Sequence, residues 1–373
     1  MKTLTAILLF VVISFPSVLA QEDIVKTFDV KKGERVIVDV SFGNVTYSSG
    51  NFGKLKITAH NILTEEKDKL RMRRSPGTVF VEFRGEDSDD FYVEVEGPAE
   101  FDVNFKTGGG NVKIKNDIKG SVKIKTGGGN IQSENVFGKV DATTAGGNIK
   151  LGDVSDALYI TTAGGDIKLG NIKGRTNVST SGGNIKIGNI SSSAEVSTAG
   201  GNISVANVDG DAKISTAGGN IKVDVVSGSA QINTAGGNIN LLGSTGKVEV
   251  NTGAGNLNLK NIKGSAEANT GAGNIYAELL PDGQSKSEFN TGVGNITLVI
   301  PSTANATVVA KANVMMWAND KSDMEQIESD FTPVSLNKNK NEMQIEATYK
   351  LNDGGSIIEL NVHLGKIRIR KPK

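Results

Sequence analysis

Lys150, Lys168 and Lys186 follow one another at 18-residue intervals, and Lys113 and Lys222 stand at the same phase of the same repeat. If those intervals stack as neighbouring strands, the ammonium groups lie about 4.8 Å apart along one face. Like charges that close repel unless an anion compensates them. Such a stripe could hold an anionic glycan or another envelope polymer, and Lys150, Lys168, Lys186 and Lys222 are the candidate binding residues. The same lysines could instead serve only to keep a flat sheet soluble and to discourage sheet-to-sheet association.

Other chemistry finds less support. The two histidines, His60 and His363, lie on opposite sides of the repeat array and in no metal-spaced motif. Zero cysteines remove thiol chemistry and any disulfide framework. Polysaccharide-active β-helices use acid clusters, but Asp153 sits between Asn135 and Asn171 in adjacent copies, and Asp166 between Asn148 and Asn184. Single acids among amides suit neither acid–base hydrolysis nor metal-assisted elimination. Carboxylates within about 7 Å on one face would support a glycan-active enzyme. Without them the chain reads as a non-enzyme with no cofactor and no metal. Arg71, Arg73 and Arg74 and the acids Glu86, Asp87, Asp89 and Asp90 read as two solvated loops of opposite charge, since neither has ligand spacing. Lys+Arg and Asp+Glu are both 41, so no general pull toward nucleic acid follows.

The elements that position these residues come from one motif. Thr-Ala-Gly-Gly-Asn-Ile is complete at 144–149, 216–221 and 234–239, and its Asn or Asp recurs every 18 residues from Asn130 to Asn274. Counting from that Asn, positions 1 and 3 are mostly aliphatic with a polar residue between, which is the alternation of a short strand. Position 6 is aliphatic in most copies, and position 8 is usually glycine, marking a corner where positive φ is expected. Positions 10 and 12 form a second strand that ends on a threonine at 14. The Thr lies in phase with the inward positions, so an internal hydroxyl ladder is expected and an ice-binding face is not. Gly-Gly then turns the chain, and Asn, which tolerates left-handed backbone and can bond locally, starts the next coil.

One such unit cannot bury its own apolar stripe, but stacked copies can. The expected fold is all-β, a single-stranded right-handed parallel β-helix with about 18 residues per coil. The hand follows the preference of parallel crossovers. A hexapeptide helix is excluded because positions 1, 7 and 13 of one coil are Ile203, Asp209 and Ser215. A calcium-binding nonapeptide roll would need an Asp in every nine residues. Residues 1–20 read as a signal peptide, with an apolar run from Ala6 to Phe15 and Ser17-Val18-Leu19-Ala20 before the cut. Residues 21–104 form an N-terminal β region with strands at 25–30, 35–40, 54–59, 78–83, 91–95 and 101–105, and a degenerate first coil around Phe42-Gly43-Asn44-Val45. Residues 105–300 carry the regular solenoid. Residues 301–373 form an irregular cap followed by a final imperfect coil. Export is expected, to the periplasm, the cell surface or the medium, with no integral membrane segment after cleavage.

With its serial Thr-x-Gly-Gly-Asn-Ile turns, Ile327-Glu328-Ser329-Asp330-Phe331, and an ending of Gly354-Gly355 and Gly365-Lys366-Ile367-Arg368-Ile369, the chain resembles the bacterial DUF4097 family of adhesin-type β-repeat proteins. The resemblance spans about residues 25–370. It implies a parallel β-solenoid on an exported or envelope protein, and it implies no catalytic residues. The chain therefore reads as a non-enzymatic solenoid that displays a surface for adhesion or envelope scaffolding, with two alternatives: a polysaccharide-active enzyme on a β-helix, and a self-associating structural module whose ladders or exposed ends pair with other chains.

Overall fold

The computed structural model describes residues 21–50, 53–86, 90–314, 326–339 and 343–372. The expected signal peptide at 1–20 lies outside them, as do Asp87 and Asp89 of the acidic cluster. The described chain is all-β, with a single short 3-10 turn at Thr64–Lys69. Among the described residues no helix is long and apolar enough to cross a membrane.

Alternation builds the repeat as expected. In Ile149–Leu151 the two aliphatics are buried and Lys150 is exposed between them, and Ala194–Thr198 alternates in the same way. In the regular coils each strand pairs in parallel with its counterpart 18 residues on, with steps of 19 and 21 at the two ends. Ile149 opposes Ile167, which opposes Ile185, on a first sheet. Val178 opposes Val196, which opposes Ile214, on a second. Between the sheets Val154, Ile172 and Ile190 form a column of isolated parallel bridges. The core is the narrow space these three columns enclose. Phe42, Phe83 and Phe91 fill its N-terminal end, with ring centroids 4.4 to 5.7 Å apart.

The turns differ from expectation in an instructive way. The motif Asn residues do not have positive φ; among described non-glycine residues only Asn61, Asn261, Met343 and Asn352 do. Their work is done by the side chain. The Asn202 amide and backbone N–H both donate to Asn184 Oδ1, at 3.2 and 2.9 Å, and Asn220 does the same to Asn202. The glycines at position 8 likewise have no positive φ, except Gly264. A Cβ at Gly138 or Gly246 would lie 2.4 Å from a carbonyl oxygen one coil back. Asp156 and Ser192 fill the same position in other coils and Gly264 has its nearest neighbour 4.0 Å away, but at these corners glycine is required by the approach of coil to coil. The same holds at the motif's second glycine, where a Cβ on Gly183 would lie 2.0 Å from Gly165 O. The threonines do not ladder with one another. Thr198 Oγ1 donates to Gly183 O at 3.0 Å and accepts from Gly201 N at 3.3 Å, which clamps each turn to the one before.

Both ends of the stack are built out of sequence order. The first coil, Arg35–Val40 with Asn44–Ser49, pairs on one side with Asp102–Thr107 and Val112–Ile114. On its other side it pairs with Thr78–Phe83 and Tyr92–Gly97. Gln21–Asp29, Lys54–Leu63 and Leu70–Ser75 then close this end in antiparallel pairing. Arg74 on that edge meets Glu34 at 3.0 Å, and Arg73 lies over the Phe80 ring. The arginines thus face these groups rather than solvent alone. At the other end the last coil, Ser356–Leu364 with Ile367–Arg370, lies between Lys286–Val293 with Ile296–Val299 and Ala306–Asn313 with Ile327–Ser329. Residues 306–313 are therefore a regular strand where an irregular cap was expected. The final coil is inserted into the stack instead of being added at its tip. Arg370 reaches Glu328 at 2.6 Å and Asp330 at 3.1 Å across this junction.

Asp282 fastens the inserted coil. Its carboxylate accepts from Gln284 N, Ser285 N and Ser285 Oγ at 2.6 to 2.9 Å, and from Ser356 Oγ at 3.3 Å. The Ser285 hydroxyl and the two backbone donors hold it well below the usual carboxylate range.

Two predictions follow from these contacts. Gly183→Ala should unfold or re-register its coils, seen as a large drop in thermal midpoint, while Gly182→Ala, whose nearest neighbour is 3.7 Å away, should change it little. Equal effects of the two would refute the close-approach argument. The Asp282 contribution should be full above the ordinary aspartate pKa of about 3.9 and decline below it, vanishing once the pH has fallen through the depressed folded value. Asp282→Asn should therefore lower the midpoint at pH 7 and narrow its gap to wild type on acidification. A gap that does not change with pH would contradict this.

Candidate functional site

The first sheet sets the expected lysines on one outward line. Lys150 opposes Lys168 and Lys168 opposes Lys186, because each sits between two inward aliphatics in strands paired without a shift. All three are exposed. The line is interrupted by Ser204, resumes at Lys222, and passes on to Asn240 and Asn258. Toward the N-terminus it runs through Gln132 to Lys113. Lys222 is ion-paired with Asp224 at 3.6 Å. Among the described residues no carboxylate lies within ion-pair distance of Lys150, Lys168 or Lys186. The structure thus brings three of the four candidates together as an uncompensated group and separates the fourth from it.

The acids weighed for catalysis have structural partners. Asp153 Oδ1 accepts from Asn171 N at 2.7 Å and from the Asn171 amide at 3.2 Å, while the Asp153 N–H donates to Asn135 Oδ1 at 2.8 Å. Asp166 holds the equivalent place in the motif ladder, accepting from Asn184. The histidines are far apart. His60 stacks on Tyr92, with its Nδ1 2.9 Å from Asp23 Oδ2, and His363 Nδ1 lies 2.6 Å from the Asn313 amide. Among the described residues no group of three His, Cys, Asp or Glu could hold a metal ion.

A second line of charge escaped the sequence reading. On the second sheet Glu249 opposes Glu267, Glu267 opposes Glu288, and Glu288 opposes Glu359. One strand spacing, about 4.8 Å, separates each from the next, so the spacing set for a carboxylate cluster is met. Spacing alone does not make a glycosidase site. Paired carboxylates act when their environments differ and water is excluded. These stand side by side on an outer sheet face, and Lys286 reaches both Glu288 and Glu359, at 3.9 and 3.1 Å. Glu249 and Glu267, 18 residues apart, could have been found by counting. Glu288 follows the 21-residue interval, and Glu359 arrives only with the inserted coil.

A shallow groove of about 550 Å³ runs along a corner of the second sheet, lined in part by Arg175, Ser193, Glu195, Asp211, Lys213 and Lys247. Its charges alternate in sign, and Glu195 pairs with Lys213 at 3.2 Å, so it offers no single-sign surface.

The family model described as Toastrack DUF4097 matches residues 44–195 and 191–348. No curated protein matches the chain significantly. A solved structure described as a "putative adhesin" from Bacteroides fragilis is 12% identical, with 95% of this chain and 99% of that one covered and a TM-score of 0.26. A "putative adhesin" from Parabacteroides distasonis is 15% identical over 76% of this chain and 98% of its own, with a TM-score of 0.30. A "Putative lipid binding protein" from the same species is 15% identical over 74% and 96%, with a TM-score of 0.25. Likenesses at this level transfer no property to this chain.

The hydrogen bonds of Asp153 make a prediction. Asp153→Asn keeps the acceptor and adds a donor toward Asn135 Oδ1, so the thermal midpoint should hold or rise. Asp153→Ala should cost about 1 kcal/mol by the usual worth of such a bond. A midpoint lowered equally by both would remove the ladder role.

Proposed function

Since the chain belongs to the Toastrack DUF4097 family, we propose that it is an exported, non-enzymatic β-solenoid whose lysine line holds an extended anionic polymer, such as an acidic glycan of the cell envelope. The observation that carries this reading is the in-register, uncompensated set Lys150, Lys168 and Lys186. A flexible ligand with a negative charge every sugar or so can follow a rigid line of cations, and each contact relieves repulsion already present in the free protein. The rod is read as winding right-handedly with about 18 residues per turn, after the handedness of parallel crossovers. A crystal structure would show the hand directly, and an exported chain beginning at Gln21 would support the signal peptide.

The spacing of the glutamates favours a second reading, a polysaccharide-active enzyme. Turnover of an acidic glycan that is abolished by Glu267→Gln would support it over simple binding.

The test of the main reading is a binding screen against acidic and neutral glycans and envelope fractions at low salt. Exposed ion contacts are worth about 0.2–1 kcal/mol each, so Lys150/Lys168/Lys186→Ser should weaken binding of the acidic ligand by about three- to a hundredfold. Equal binding by wild type and triple variant would sink the proposal.

A further inference from the structure

The two charge lines lie on different sheets of one stack, so they share one axial repeat. Lys150, Lys168 and Lys186 offer a cation in each of three successive coils, and Glu249, Glu267 and Glu288 a carboxylate in each of three others. Every contact between such lines on two molecules can form at once, because both advance by the same step of about 4.8 Å. No axial strain builds up along the row. Of all partners, a second copy is the one whose spacing is guaranteed to match.

We propose that the lysine line of one molecule docks on the glutamate line of another, making the glutamates the protein's own equivalent of the anionic polymer. This rests on the same lysines as the proposed function but adds the glutamates, which polymer capture does not need. The neighbourhood suits it. Lys150, Lys168 and Lys186 have no carboxylate in ion-pair distance among the described residues. Beside the glutamates runs an amide line in which Asn251 donates to Asn233 Oδ1 at 2.9 Å, Asn269 to Asn251 at 2.9 Å and Asn290 to Asn269 at 2.7 Å. That line is uncharged, so it neither neutralises the acids nor repels a cation. Of the three, Glu288 has a lysine at ion-pair distance among the described residues, Lys286 at 3.9 Å, and Glu249 shares its groove with Lys213 and Lys247 without an ion pair to either.

The geometry also fixes the kind of assembly. The motif ladder takes five steps from Asn148, which starts the coil of Lys150, to Asn238, which starts that of Glu249. Two parallel molecules matched at Lys150 and Glu249 are therefore staggered by about 24 Å. The contact joins one face to a different face, so each added molecule leaves one line of each kind free. Such heterologous contacts build open arrays unless the rotation happens to close them.

The experiment uses two charge-reversed variants of the whole mature chain, Lys150/Lys168/Lys186→Glu and Glu249/Glu267/Glu288→Lys, with circular dichroism and thermal melting to show that each is folded. Mass is followed against concentration by sedimentation. At about 10 mM salt, where the Debye length is about 30 Å, wild-type mass should rise with concentration, and at about 1 M salt, where it is about 3 Å, it should return to the monomer. Each variant alone should remain monomeric at low salt, and an equal mixture of the two should associate again. Wild type that stays monomeric at low salt, a variant that associates as wild type does, or a mixture of folded variants that stays monomeric would overturn the proposal. The readings separate because the Glu→Lys variant keeps its lysines. It should still bind the acidic polymer while failing to self-associate, whereas self-association without any polymer binding would defeat the polymer reading alone.

Discussion

The structure depends on how closely the backbone of each turn lies on the turn before it. At Gly147, Gly165, Gly183, Gly201 and Gly219 there is no room for a Cβ, which would come within 2.0 Å of a carbonyl oxygen one coil back. Held that near, the threonine hydroxyl can span from one coil to the next, and the side-chain oxygen of each motif Asn or Asp can accept from the coil that follows. Polar groups in the turns are satisfied by their own copies, so a narrow aliphatic core suffices. This answers the composition, in which 46 glycines accompany few aromatics. The large rings that exist are concentrated where stacking must stop, as at Phe42, Phe83 and Phe91.

The same constraint turns any outward residue repeated at the coil period into a line. Amides in such a line bond to one another and stabilise the rod, as at Asn233, Asn251 and Asn269. Charges in such a line cannot, and repel unless something outside the coil compensates them. An Asp can replace an Asn because the row needs an acceptor at every step, which Asp166 supplies to Asn184. A lysine or a glutamate cannot bond to its own copy in this way. Their lines are where the proposed partners would dock.

Stacking also creates a difficulty at the two ends, where strand edges would stay open. Here the chain places its first and last coils one position in from each end and covers them with segments from between. The pairing of Ile327–Ser329 with Ile367–Arg370 joins two stretches 40 residues apart, and Arg368 and Arg370 cross to Glu328 and Asp330. Both stretches were recognised separately in the sequence as marks of the family. Their contact was not legible, because pairing between distant segments leaves no period to count.

What the sequence determined by itself is whatever repeats. Period-two alternation within strands and the 18-residue step between coils were enough to place the aliphatics inside, the lysines outside and Lys150, Lys168 and Lys186 on one line, since a repeated local pattern has one way to stack. The usual backbone preferences of glycine and asparagine do not explain why most of them are needed, because a single residue's φ preference says nothing about the coil above it. Only the tertiary structure decided the order of coils at the ends and the completion of the glutamate line by Glu359. Those features depend on which distant strand fills an open edge, a choice made by pairing and burial across the whole stack and not by any local pattern.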